Sequence, residues 1–408
     1  MANLVRTKVA FIKQELTFGT EAGNTNGSDM IWAELMEPPT YKDELVVNEV
    51  PVQTGKSFRT PSEPFEDGAT LELKIRVPAM RGAGGAGVAP PARDYLDLFL
   101  ENAMGFPRAR NGHTISTSAT GTMSASAGGG NFFQDVVGVY SAGSDRLQTA
   151  YCAQSQSAGT FGILPNWFST PVSGSTSYAR RIYTHNPFIG VQLTGSLTIT
   201  LSGATQGGLS DVYTFRGCRA TGIKLDAPTN KEAVISISLR ATSKTEESAV
   251  KTSLPAITGN RVPFVKSNLS PVYLNNVLLY GNNGISVDFG LRTQEISAQE
   301  GANGRADIAV LGMDPVITAT PIRQNAWVDA KRTQDATNLL VQLGSGVPAT
   351  FSGSTYVPAM VITMNKAQIT EVNETADGNI SRQGLTFKPA DEVSVSGSIT
   401  NVFQIVRF

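Results

Sequence analysis

Two histidines, His113 and His185, are the side chains of this sequence best suited to act as general bases near neutral pH. Both lie among glycine, threonine and asparagine residues. A catalytic base needs a nucleophile to activate, and the sequence contains no G-x-S-x-G motif and no S-x-x-K motif with its partners. We therefore predict surface-loop histidines, no catalytic residue and a protein that is not an enzyme.

Residue types that bind metals through sulfur or imidazole are equally sparse. Cys152 and Cys218 are the only cysteines, which excludes a disulfide framework and a cysteine-based zinc site. We predict that both are small buried hydrophobic residues, and a bond between them is left open. No H-x-x-x-H or C-x-x-C pattern occurs, so we predict neither a bound metal nor a cofactor.

Two pairs of carboxylates, Glu295 with Glu300 and Asp391 with Glu392, have the residue types of an acid–base pair or a calcium site. Neither pair has the D-x-D-x-D-G spacing of a calcium-binding loop. We predict that both pairs lie in solvated turns.

Three glycines, Gly82, Gly84 and Gly87, match the G-x-G-x-x-G pattern of dinucleotide-binding sites. In such a site the last glycine packs the helix against a strand that is apolar on both faces. Here two prolines separate the glycines from a helix predicted over Ala92 to Met104, and the preceding strand alternates polar with apolar residues. We predict a flexible connector over Arg81 to Ala89 instead.

Five arginines are candidates for contact with a nucleic acid, but they are scattered and lack interleaved aromatic residues for base stacking. They are Arg81, Arg108, Arg110, Arg180 and Arg181. Lys and Arg total 33 against 34 Asp and Glu, a formal net charge of −1, whereas a protein that grips nucleic acid is strongly basic. We predict solvated or intersubunit arginines and no specific binding of DNA.

Composition restricts the class of protein. Charged residues make up only 16% of the chain, below the usual quarter, and 40 residues are glycine, which suits an extracellular-type β protein or one that buries much surface in an assembly. Charges interrupt the apolar runs of the N-terminus, so we predict no signal peptide, and no apolar stretch is long enough to predict a membrane span. We expect synthesis in the cytoplasm, with export only in a particle or through a dedicated machine.

Short stretches of alternating polar and apolar residues recur along the chain and predict roughly a dozen or more strands. Thr114 to Gly130 predicts a polar strand pair, whereas Ala142 to Gly162 is small and polar. Helices are predicted over Ala92 to Met104 and over Asn325 to Leu339. The fold class is therefore mainly β, an antiparallel β-sandwich or barrel with one or two short helices.

The stretch from Gly68 to Gly105 joins three features. Leu71 to Val77 alternates as a half-buried strand, a Gly/Ala-rich segment ends in Ala-Pro, and a Leu-rich helix closes with Met104 and a C-capping glycine. This order resembles the N-terminal half of the tail tube (major tail) proteins of long-tailed bacteriophages.

Two further stretches carry the same resemblance. The aromatic-Arg-Gly-Cys entry at Phe215 to Cys218, with the hairpin turn at Asp226 to Lys231, is similar to the mid-chain hairpin of tail tube proteins. The run from Pro271 to Ile322 resembles the C-terminal half of their module.

The resemblance suggests a division of the chain. Residues 1–250 would hold the N-terminal part of the tail tube module, and residues 251–408 the C-terminal part or a second tail-tube-like β domain. Residues 106–211 match least and are expected to form an insertion or a decorating domain. A strand–helix–hairpin order at 45–104 and again at 286–341 suggests an internal duplication.

The resemblance implies a structural subunit of a phage tail tube, located in the virion, whose strands join those of its neighbours in a homo-oligomeric ring. Hexameric rings are expected, or trimeric rings if the module is duplicated. The rings stack, together with other tail proteins, into the conduit for DNA ejection. DNA passes through without specific binding, and the net charge of −1 predicts a neutral or acidic lumen.

A second hypothesis is another virion β protein, such as a capsid decoration protein or a baseplate or receptor-binding subunit. A carbohydrate-active β-sandwich enzyme is a third. Regular tubes formed by the purified protein would favour the first hypothesis, and glycan binding would favour the others. If the chain forms rings, the segment from Gln53 to Gly68 is expected to become ordered at a subunit contact or a ring–ring contact.

Overall fold

A computed structural model of the 408-residue chain describes most of the sequence. The described residues are 6–15, 17–19, 31–46, 65–81, 89–90, 93–119, 121–125, 135–139, 147–157, 160–167, 171, 175, 177–185, 195–204, 212–247, 264–266, 270–302, 304–333, 336–351, 354–390 and 403–408. Within them the protein is mainly β, with two short helices, which confirms the mainly-β class, while a sandwich or barrel of the tail tube type stays a prediction.

The strands of the first half are β1 Arg6–Gln14, β2 Ile31–Glu34, β3 Thr40–Val46, β4 Phe65–Arg76, β5 Met80–Arg81, β6 Arg108–Arg110, β7 Ile115–Ala119, β8 Thr122–Ala125, β9 Val136–Val139, β10 Gln148–Ser157, β11 Thr160–Leu164, β12 Arg180–His185 and β13 Leu197–Ala204. The strands of the second half are β14 Val212–Pro228, β15 Val234–Ala241, β16 Ser243–Glu247, β17 Val272–Leu274, β18 Val277–Leu278, β19 Gly284–Asp288, β20 Leu291–Ala302, β21 Arg305–Met313, β22 Val316–Ala319, β23 Thr337–Leu343, β24 Ala349–Phe351, β25 Ser354–Val357, β26 Met360–Asp377, β27 Ile380–Pro389 and β28 Phe403–Arg407. The helices are α1 Tyr95–Met104 and α2 Asn325–Thr333.

Eighteen strands form one hydrogen-bonded system, and all of its ladders are antiparallel. It has three stretches. The first runs β3-β4-β15-β14-β19-β22-β27-β26, the second runs β6-β12-β28-β26-β23-β17-β18, and the third runs β2-β1-β13-β14-β16. The long strands β14 and β26 each pass from one stretch to another, so they tie the three together.

One hydrophobic core lies between these stretches and includes residues from both halves of the chain. Alternation explains how β4 contributes to it, because Leu71, Leu73 and Ile75 are buried while Glu72 between them is exposed. The strand predicted from this alternation is confirmed. The division at residue 250 is not marked by a gap in this core, and the predicted tail-tube domains stay a prediction.

A separate five-stranded sheet, in the order β7-β8-β11-β10-β9, lies within residues 106–211. One of its faces has a hydrophobic cluster of its own, which includes Cys152, Phe161 and Trp167. Its other face packs on the second stretch of the large sheet, where Tyr151 and Leu147 meet Val406 and other apolar residues. The central strands of the second stretch, such as β28 and β23, are therefore buried on both sides.

Helix α1 begins three residues later than predicted. Asp94 is its N-cap and forms a capping box with Asp97, because each side chain accepts hydrogen bonds from the backbone near the other. Gly105 ends the helix with a positive φ of 84°, as a C-capping glycine does. All ten residues of the helix are buried, so it is an internal element of the fold.

Helix α2 ends at Thr333, and the prediction that it extends to Leu339 is wrong. Only Trp327 is buried in the helix, whereas Leu339 and its neighbours form β23 and are fully buried. A polar, half-solvated helix cannot bury such an apolar run, and a strand between two others can. No helix in the described part of the chain is long and apolar enough to cross a membrane.

Several predictions fall outside the described residues. The Gly/Ala connector is described at Arg81 and at Ala89, and the residues between are not. The segment from Gln53 to Gly68 is described from Phe65 onward, where it is already part of β4.

Candidate functional surfaces

A buried cluster of charges joins helix α1 to the C-terminal strand β28. Arg407 is 1% exposed, and its guanidinium donates to Asp94 at 2.6 and 2.7 Å and to Asp97 at 2.6 Å. Asp97 is fully buried and also accepts from Arg181 at 2.6 Å and from the Tyr183 hydroxyl at 2.8 Å. Because β12 and β28 are neighbours in the sheet, one carboxylate fixes the helix to both strands.

The charges of this cluster stabilise one another. Burial opposes ionisation of Asp97, but the charges of Arg407 and Arg181 outweigh that effect, so the pKa of Asp97 lies below its usual value. Burial and the neighbouring Asp97 raise the pKa of Tyr183 well above its usual value, which keeps the phenol a hydrogen-bond donor. The charged groups of the cluster hydrogen-bond to one another. The cluster therefore holds helix α1 in position and does not present a reactive group.

A second buried carboxylate, Glu15, is held by neutral hydrogen-bond donors. It accepts from the Thr198 hydroxyl at 2.7 Å, from the Gly217 amide at 2.9 Å and from the Gly19 amide at 2.9 Å, as well as from the Ser196 hydroxyl. Local sequence patterns do not indicate this cage, because its donors come from three separate segments. The cage ties the end of β1 to β13 and β14.

The hairpin β20–β21 forms a two-stranded sheet of its own. Three of its side chains, Ile308, Val310 and Met313, are at most 5% exposed. The hairpin is also held by ion pairs, because Arg219 on β14 binds Asp307 through both carboxylate oxygens at 3.1 Å.

Glu295 of the same hairpin accepts from two arginines. Arg240 on β15 donates at 3.0 Å and Arg305 on β21 donates at 2.6 Å. Partial burial opposes its ionisation, but hydrogen bonds and charges from Arg305 and Arg240 hold the pKa of Glu295 below its usual value. Glu295 is 41% exposed, but it lies within strand β20, so the prediction of a turn there is wrong. The side chain of Glu300 and both residues at 391–392 lie outside the description.

A polar groove of about 420 Å³ is lined mainly by residues of β4, β14 and β15 in the first sheet stretch. Small residues, Gly222, Ser236 and Ser238, form part of its lining, and Lys74 and Lys224 are among the charged residues around them. Lys74 pairs with Glu37 at 2.8 Å, so the groove is not a site of one charge sign.

Two strands that end a stretch of the large sheet, β3 and β18, carry exposed residues. In the described residues β3 pairs only with β4, and Tyr41, Lys42 and Asp43 are exposed on it. At the end of the second stretch β18 pairs only with β17, again among the described residues, and both Val277 and Leu278 are exposed. These are open sheet edges.

The two histidines are not placed alike. His185 is the last residue of β12 and is 5% exposed, so the prediction of a surface-loop histidine is wrong for it. Its position in a strand next to β28 was not evident from its polar neighbours in the sequence. Burial lowers the pKa of His185, and burial together with Arg180 and Arg110 lowers the pKa of the partly exposed His113.

The prediction of solvated arginines is wrong at two positions. Arg180 is fully buried and Arg181 is 7% exposed, because β12 lies inside the large sheet. Burial lowers the pKa of Arg180 to about 10, which leaves it charged at neutral pH. Arg108 and Arg110 are about one-third exposed and share the buried Asp135 at 3.0 Å each.

Cys152 and Cys218 are buried and unbonded, as predicted for small hydrophobic residues. Among the described residues no three His, Cys, Asp or Glu side chains are grouped to hold a metal ion. The expectation of no metal or cofactor stays a prediction. Comparison with protein-family models and with curated proteins finds no match for this chain.

Proposed function

We propose that this protein is the structural subunit of a bacteriophage tail tube, which forms stacked homo-oligomeric rings around a conduit for DNA. One observation carries the proposal: the large sheet ends in open edges, at β3 and β18, in the described part of the chain. Unpaired edges invite pairing with another chain, and closing a ring of subunits removes them.

The arrangement of the helices supports the same proposal. Helix α1 follows the alternating strand β4, as in the resemblance, and is buried inside the subunit rather than covering an edge. The net charge of −1 suits a conduit that does not retain DNA, since each cationic contact to a phosphate would add to binding. The chain would then be located in the virion and would contact itself and other tail proteins.

Sedimentation over a concentration series tests the proposal. We expect the purified chain to associate into rings or larger species as its concentration rises, because each subunit offers different edges to its two neighbours. A monomer at every concentration would contradict it. A double variant, Val277→Lys and Leu278→Lys, tests the role of the edge at β18, where both side chains are exposed. The added charge should weaken association by opposing edge pairing, without disturbing the core.

A second candidate is a decoration or receptor-binding protein of the virion. The five-stranded sheet favours it, because that sheet has its own hydrophobic cluster and lies on the outside of the large sheet. Binding of glycans by the purified chain, without formation of rings, would favour this second candidate.

A further inference from the structure

The hairpin β20–β21 differs from the other long hairpins in how it is held. Among the described residues no ladder joins it to the 18-stranded system, whereas β26 and β27 pair within that system. A two-stranded hairpin is marginally stable alone in water. Its position therefore depends on the contacts of its side chains with the body.

The apolar contacts of the hairpin are confined to one face. Ile308 and Val310 are buried, while Ile296 and Leu311 are 46% and 63% exposed. Neither Ile308 nor Val310 belongs to the main hydrophobic cluster, whereas at the base of the hairpin Met313 of β21 is part of it and Leu291 of β20 packs against it. The hairpin thus buries fewer apolar side chains than the strands on which it packs.

Ion pairs add to this attachment, because Arg219 on β14 binds Asp307 and Arg240 on β15 binds Glu295, which also accepts from Arg305 of the hairpin itself. We call Arg219, Arg240 and Arg305, with the carboxylates Asp307 and Glu295, the latch. The side chains of the three arginines are at most 10% exposed, whereas the side chain of Asp307 is 29% exposed and that of Glu295 is 41% exposed. Water therefore reaches the carboxylates while the arginines stay covered. When the hairpin lifts, Asp307 leaves Arg219 and Glu295 leaves Arg240, and water can solvate all of the separated charges.

The base of the hairpin has the features of a hinge. Gly290 has a positive φ of 56°, a conformation that disfavours other residues, and its carbonyl accepts from the Asp314 amide at 2.9 Å. The preceding Phe289 amide is fixed to the Ile223 carbonyl at 3.0 Å. The base is therefore anchored, and the hairpin can lift only if both of its legs bend there, at Gly290 and at Asp314.

We propose that the hairpin β20–β21 is a strap that opens and closes on the outer face of β14 and β15, and that the latch sets its closed population. Opening bares Arg219 and Arg240, which lie along the same strands as the small residues of the polar groove. The strap thus controls how far the groove extends. This proposal does not depend on assembly into a tube.

Hydrogen exchange of the full chain, followed by mass spectrometry, tests the strap. In the native protein, amides of residues 291–313 should exchange at least about tenfold faster than those of β14 and β15, because local opening exposes them without global unfolding. Equal rates in the two regions would overturn the proposal, since the hairpin would then open only when the whole sheet unfolds.

The variant Glu295→Gln tests the latch. It removes one charge that two buried arginines share, so exchange in residues 291–313 should rise by about another tenfold, which is 1.4 kcal/mol, with β14 and β15 changed by less than about twofold. Glu374→Gln is the matched control, because Glu374 pairs with Arg323 at 3.2 Å on an exposed surface. Unchanged exchange in the hairpin of Glu295→Gln, or equal acceleration of hairpin and sheet, would overturn the role of the latch.

Discussion

Replacing Asp97 with Asn tests whether the buried charge cluster holds helix α1 in place. The change keeps the size of the side chain and removes the charge that faces Arg407 and Arg181, both at 2.6 Å. Asp94 remains to pair with Arg407, and Arg181 loses the carboxylate that accepts from it at 2.6 Å. Breaking a buried pair costs about 3–5 kcal/mol, because the remaining charge stays buried.

A loss of that size is a large share of the stability of a protein, which is typically about 5–15 kcal/mol. Urea unfolding followed by circular dichroism and by tryptophan fluorescence would measure it, with both probes needed because a chain of this length can unfold in steps. Asp329→Asn is the matched control, since Asp329 is 72% exposed and lies 3.7 Å from Arg332. A cost for Asp97→Asn that is within about 0.5 kcal/mol of the control would refute the reasoning.

The other predictions concern packing, the Glu15 cage and pH. Leu98→Ala in α1 should lower the free energy of unfolding by about 2–5 kcal/mol, since Leu98 is 6% exposed in the core, and a cost near zero in urea unfolding would mean that the helix is not packed as described. Glu15→Gln should lower the free energy of unfolding by at least about 1–3 kcal/mol, because the amide group of Gln would point a donor at the donors of the cage. Glu72→Gln on the exposed face is the control and should cost little. Equal costs in the same assay would contradict the cage. Burial lowers the pKa of His185, so the unfolded state binds more protons, and the free energy of unfolding should fall as pH drops from about 7 through the unfolded pKa of about 6.5. His185→Gln should flatten that pH dependence, and an unchanged slope in urea midpoints across this range would contradict the assignment.

The sequence was sufficient where local patterns determine structure. The strand around Leu73, the helix that ends at Gly105 and the strand pair within 114–130 follow from alternation, capping and turn residues. It was not sufficient at Ala142 to Gly162, where β10 and β11 form from small polar residues because neighbouring strands supply their partners.

Charged residues were the hardest to place from the sequence. Arg407 lies 310 positions from Asp97, and nothing in either local sequence indicates that they meet. The polar neighbours of His185 and Arg181 suggested a surface, whereas pairing of β12 with β28 buries both. The positions of these side chains depend on the order of strands in the sheet, and alternation specifies faces but not neighbours.

Electron microscopy of the purified protein tests the proposed function most directly. Negative-stain images at high protein concentration should show rings with a central opening, or regular tubes made of stacked rings, because ring closure would pair the edges that are open at β3 and β18 in the described part of the chain. Dispersed single particles of one subunit, under all conditions in which the chain is folded, would contradict the assignment as a tail tube protein.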